Sequence, residues 1–150
     1  MYQPSDVGAI AELFHQSVHE GARRNYSATE RAAWSPQRLP AEIWAERLAL
    51  EFCWVADTPE QLIGFMTLEE DGYLNYAYVA PGVQGTGVAQ ALYERLEAHA
   101  RKHAIQRLFC EASFLAQRLF LRQGWTTLEE QRVPRRGVVL TNFRMEKHLD

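Results

Sequence analysis

Gln84-Gly85-Thr86-Gly87-Val88-Ala89 stands between a strand-like run, Tyr73 to Val79, and a helical run that reaches about His103. Two glycines at the first turn of a helix leave backbone N–H groups open to a ligand, with no Cβ in the way. The helix end adds unpaired donors and the positive end of its dipole. Residues of this kind at this spacing hold an anion, and a pyrophosphate suits them best. Other phosphate loops fit poorly. No Lys-Ser or Lys-Thr follows the glycines, as a P-loop requires, and the third glycine of a dinucleotide fingerprint is missing.

The turn belongs to a longer pattern. Val79-x-Pro81-x-x-Gln84-x-x-Gly87-x-Ala89 resembles the acetyl-CoA signature of the GNAT superfamily of N-acetyltransferases. A second block, Ser113-x-x-Ala116-x-x-Leu119-Phe120-x-x-x-Gly124-Trp125, is similar to a later motif of that superfamily. Asn25-Tyr26-Ser27, Ala33-Trp34, the run from Arg132 to Gly137 and Thr141-Asn142-Phe143-x-Met145 resemble its YafP-like bacterial branch. The resemblance implies acetyl-CoA as co-substrate and an amine as acceptor. It also implies cofactor contacts from the main chain of Tyr78 and Val79 and from Gln84, Gly85, Thr86, Gly87, Val88 and Ala89. Ser113 would face the pantetheine amide, Phe120 would lie near the sulfur, and Tyr26 and Trp34 would line the acceptor site.

Acetyl transfer to an amine needs a neutral nucleophile, a polarised thioester and a proton for the departing thiolate; holding the reactants together supplies much of the rate. Many relatives carry a tyrosine acid at the position of Phe120, which has no proton to give. Tyr26 is the replacement expected. Asn75 occupies a strand position where some relatives carry a carboxylate base, and an amide there orients a water or substrate instead. Glu111 is the nearest remaining carboxylate in sequence. Trp34 and the arginines Arg135 and Arg136 suggest an aromatic wall with cations at the mouth. His15 with His19, and His99 with His103, are spaced four apart on helices, but no third ligand accompanies either pair, so no metal is expected.

The elements must bring these residues together. Val7, Ile10, Leu13, Phe14 and Val18 form a helical stripe, and Ser27-x-x-Glu30 is a capping box opening a short helix to Trp34. Ile43, Trp44 and Leu48 mark a third helix. Strands are expected over 52–56, 61–68 and 73–79. After the long helix come a strand over 107–112, a helix over 114–123 stopped by Gly124, and a hairpin of 125–133 with 138–145. The order describes an α/β fold with a mixed twisted sheet flanked by helices. In the GNAT arrangement that sheet splays between its fourth and fifth strands, and the family's opening strand is short or missing here.

At 150 residues, 47% hydrophobic, the chain suits one soluble domain, residues 1–150. A net charge of −3 gives no electrostatic case for nucleic acid, and the short basic cluster at 132–136 suits a solvated hairpin tip. No apolar run is long enough to span a membrane and no signal peptide opens the chain, so a cytoplasmic location is expected. Cys53 and Cys110 sit in apolar strand runs as buried free thiols, which argues against a covalent acetyl-enzyme. The expected function is direct acetyl transfer to a primary amine of a small molecule or peptide, by a monomer or a homodimer. A catalytically inactive acyl-CoA-binding sensor is the alternative.

Overall fold

The computed structural model describes residues 1–150. A 3-10 turn at Pro4–Asp6 leads into α1 (Val7–Gln16), which continues as a π-helical turn, Ser17–Gly21. The capping box closes as expected: Ser27 Oγ accepts from Glu30 N–H at 3.1 Å, Glu30 returns a bond to Ser27 N–H at 2.7 Å, and α2 (Ala28–Trp34) follows. Pro40 ends the loop and α3 (Ala41–Leu48) begins, burying Trp44 and Leu48. The opening strand is absent. All that stands in its place is one backbone bond, from Tyr2 N–H to Cys53 O at 3.1 Å.

Two three-stranded sheets follow. β1 (Phe52–Asp57), β2 (Leu62–Leu68) and β3 (Ala77–Val79) pair antiparallel in chain order. β4 (Arg107–Ala112), β5 (Thr126–Arg135) and β6 (Val138–His148) also pair antiparallel, with β6 in the centre. A single parallel bridge, Tyr73 to Phe109, joins the sheets; it makes the whole mixed. Gly72 permits that junction. Its φ is +99°, and a Cβ there would meet the Arg107 carbonyl oxygen at 2.1 Å, so only glycine fits.

The strand expected over 73–79 is therefore shorter than its sequence pattern. Thr67 N–H donates to Tyr76 O, and Glu69 N–H to Tyr73 O. Between these two bonds Leu68 alone opposes Leu74 and Asn75, which is a bulge. Thr67 Oγ1 stands in for a backbone acceptor there, taking Tyr76 N–H at 3.1 Å. The bulge turns the chain away from β4, and the strands part.

β2 is buried along nearly its whole length because both faces are covered. Trp54, Met66 and Leu68 join the core shared with α4 (Val88–Lys102) and α5 (Phe114–Arg122). Cys53 and Phe65, of opposite parity, pack on α1 and α3 with Ile10, Leu13 and Trp44. Gly64 lets α4 sit low on the sheet: a Cβ would lie 3.0 Å from Leu92 Cδ1 and 3.3 Å from Val88 Cγ1. That close approach fixes the helix N-terminus beside the end of β3.

Candidate active site

Where β3 and β4 part, the gap is a cavity of about 270 Å³. It draws its walls from every element around the splay: Phe14 of α1, Trp34 of α2, Tyr76 and Tyr78 beside the bulge, and Ala112 and Ser113 at the end of β4. Phe120 closes its floor. That ring is 1% exposed and stacks on Trp125 with centroids 4.5 Å apart, so one side chain serves both the core and the cavity. Ser113 caps α5, its Oγ accepting from Ala116 N–H at 3.2 Å.

Tyr26 also lines the cavity, but its hydroxyl is committed. It donates to Thr141 O at 2.6 Å and accepts from Phe114 N–H at 3.4 Å, and burial pushes the phenol up to about 12. Its ring packs edge-on against Trp34 (5.2 Å) and Phe114 (5.4 Å). Tyr73 and Tyr78 differ. Neither hydroxyl donates to a protein acceptor; burial raises both, Tyr73 to about 12 with a further push from Glu111. Trp34 is half-buried against Tyr26 and Tyr78 and presents a face to the cavity.

Asn75, on the bulge, and Glu111, on β4, are both exposed and line the mouth. Arg144, opposite Glu111 in register, pairs instead with Glu129 at 3.0 Å, so Glu111 has no ion partner. The two arginines of the hairpin separate. Arg135 lines the cavity, whereas Arg136 donates to Ala33 O at 2.6 Å and caps the end of α2. The expectation of two cations at the mouth is corrected to one, because the second satisfies a helix carbonyl that would otherwise be orphaned.

The Gly-rich turn stands at the far end of β3. Val79 O accepts from Ser17 Oγ at 3.0 Å, fastening the strand end to the π-helical turn, and the exposed Gln84 lays its amide against Gly21. Gly85 (φ +81°) and Gly87 (φ +91°) both adopt the left-handed conformation that favours glycine. Gly87 is the N-cap of α4 and brings no side chain to cap it; the first backbone bond onto that cap is Ala91 N–H to Gly87 O at 3.0 Å. The N–H groups of Val88 and Ala89 are thus left as unpaired donors at a positive dipole end. Thr86 is tied to Val83 through its hydroxyl.

A family model of the acetyltransferase (GNAT) domain matches residues 20–147. The chain belongs to the GNAT family. It is 33% identical over 144 residues to the uncharacterized N-acetyltransferase YafP of Escherichia coli K12, covering 96% of this chain and 91% of that one. A GCN5-related N-acetyltransferase of Rhodopseudomonas palustris superposes with a TM-score of 0.91 at 26% identity, over 99% of this chain and 92% of that one. The acetyltransferase yncA of Salmonella typhimurium, solved with acetyl-CoA, shares the fold at TM-score 0.75 and 18% identity, over 99% and 91% of the two chains.

Within this GNAT fold, the splay gathers Tyr26, Trp34, Asn75, Tyr78, Glu111, Ser113 and Phe120 around one cavity. Gln84 to Ala89 lie outside it, on the turn that follows β3. Tyr73, Tyr76 and Asn142 are wall residues that sequence reasoning did not single out for the site. Alternation along the strand before the turn groups Tyr76 with Tyr78 on one face, a signal that was available. The bulge that brings in Tyr73 has no sequence mark comparable to a turn dipeptide.

Proposed function

We propose that this GNAT chain transfers an acetyl group from acetyl-CoA to a primary amine of a small molecule or an exposed peptide end. The observation that carries the reading is continuity: β3 leads from the cavity wall at Tyr78, through a 3-10 turn at Pro81–Val83, to an uncapped helix N-terminus at Gly87-Val88-Ala89. The pyrophosphate would rest on the free N–H groups of that helix, and the pantetheine arm would run along β3 into the splay, past Ser113 to Phe120. Relatives of this fold solved with acetyl-CoA and with coenzyme A support the assignment of the cofactor. A cavity of about 270 Å³ has room for a thioester end and a compact amine, not for a folded partner.

In this mechanism the neutral amine attacks the thioester carbonyl carbon, a C–N bond forms and the C–S bond breaks; the thiolate takes a proton from a tyrosine hydroxyl, and the nitrogen returns its surplus proton to that tyrosinate through water. Glu111, exposed and unpaired at the mouth, takes the proton that the incoming ammonium must lose, through water. Neither cysteine serves as a nucleophile, because burial raises both thiols to about 12 and disfavours the thiolate. Tyr26 braces the acceptor wall, its hydroxyl holding β6 to the start of α5. Tyr73 and Tyr78, whose hydroxyl protons are free, are the groups that donate to the thiolate. Trp34 gives the acceptor an aromatic wall, and Asn75 with Arg135 gives it a polar rim.

The test is thiol release from acetyl-CoA by the purified chain with a panel of primary amines, with mass detection of the acetylated product. The reading requires release that depends on the amine. Binding of CoA without amine-dependent release for any member of the panel would identify the chain as a sensor instead.

A further inference from the structure

The motif Thr141-Asn142-Phe143 lies on the central strand of the second sheet, and two of its three residues have evident structural work. Thr141 offers its carbonyl to the Tyr26 hydroxyl at 2.6 Å. Phe143 is buried in the core and packs edge-on against Phe114 at 5.0 Å. Asn142 has neither occupation. Its backbone pairs with Gln131, its side chain lines the splay cavity, and its Oδ1 is buried without a hydrogen-bond partner. An unpaired buried amide oxygen costs free energy that an apolar residue of similar size would avoid. A polar group kept in such a place, facing a cavity, has its partner in what fills the cavity.

We propose that Asn142 is an acceptor-binding residue, its side-chain oxygen accepting an N–H from the amine that enters the splay. The inference rests on the acetyltransferase reading and deepens it. Leu140 and Tyr26 lie beside Asn142 on the acceptor wall, in a cluster apart from the core that holds Phe120. An oxygen acceptor there would orient the amine by one N–H and leave the nitrogen lone pair free to face the thioester. A carbonyl oxygen also accepts from an ammonium or from a neutral amine, so it would hold the acceptor before and after proton loss.

The experiment compares the native chain with Asn142→Leu and Asn142→Asp, using whichever primary amine of the panel gives the highest native kcat/KM. Asn142→Leu is expected to raise the acceptor KM by about tenfold or more, with the Kd for CoA unchanged and Tm equal to or above the native value. Asn142→Asp, which keeps an accepting oxygen, is expected to hold KM within about threefold of native. An unchanged acceptor KM in Asn142→Leu would overturn the proposal, as would a loss of CoA affinity, which would put Asn142 on the cofactor side. If Asn142→Leu does not fold, the Asp variant decides: a native-like Tm with a KM raised tenfold would contradict the role. Absence of turnover with every amine would refute the acetyltransferase reading itself, a result distinct from a KM that ignores Asn142.

Discussion

Tyrosine hydroxyls in the cavity divide by where their protons point, and that division yields the residue-scale predictions. Tyr26 donates to a half-buried carbonyl, so Tyr26→Phe removes that bond and should cost about 0.5–1.5 kcal/mol of stability. Thermal unfolding checks it; a Tm equal to native would show that the bond contributes nothing. Tyr73 and Tyr78 have protons to give. Removing the hydroxyl of the operative one should lower kcat by about 10²–10⁴-fold without moving CoA affinity. If Tyr73→Phe and Tyr78→Phe both retain native kcat, neither tyrosine is the acid. The sequence pointed to the missing acid because Phe120 stands in a motif. It could not say which tyrosine had a free hydroxyl, since that depends on contacts made across more than a hundred residues of chain.

Among the elements, the junction of the two sheets governs the cavity. The Tyr73–Phe109 bridge holds the strands together at one end, and the bulge beside it lets them part at the other. Gly72 is the residue on which this depends. Gly72→Ala would place Cβ against the Arg107 carbonyl oxygen in a left-handed backbone conformation, and should destabilise by about 2–5 kcal/mol from overpacking and strain together. Denaturant unfolding measures it, and a loss below about 1 kcal/mol would mean that the junction yields easily. Helices, turns and both outer hairpins were legible from caps, periodicity and glycine stops: Ser27-x-x-Glu30 opened α2, and Gly124 followed α5. The truncated β3 was not, because Tyr73 to Val79 alternates like a continuous strand while Thr67 Oγ1 quietly replaces one rung of the ladder.

At the scale of the molecule, β6 is tied back to α4 by Lys147. Its Nζ reaches Glu97 Oε1 and the Gln123 carbonyl, each at 2.7 Å. Burial works to raise Glu97, but Lys147, Tyr93 and Arg101 together hold its carboxyl below the ordinary 4.5. The folded chain therefore binds fewer protons at this group than the unfolded chain does. The stability it contributes is present above about pH 4.5 and is lost as pH falls through the lower folded value. Lys147→Met should accordingly lower Tm more at pH 7 than at pH 3; an equal drop at both would assign the loss to packing alone.

The GNAT assignment joins two distant features, an anion-binding turn and a splayed cavity, into one site through β3. Calorimetric titration of CoA into the native chain and Gly87→Glu tests that union most directly. The substitution strains a left-handed N-cap and sets a carboxylate where the phosphates would lie, while no protein atom stands within 4 Å of the added Cβ. The account predicts measurable CoA binding by the native chain and a loss of affinity of about a hundredfold or more in Gly87→Glu, with an unchanged circular dichroism spectrum. Equal affinity in the two proteins would contradict it.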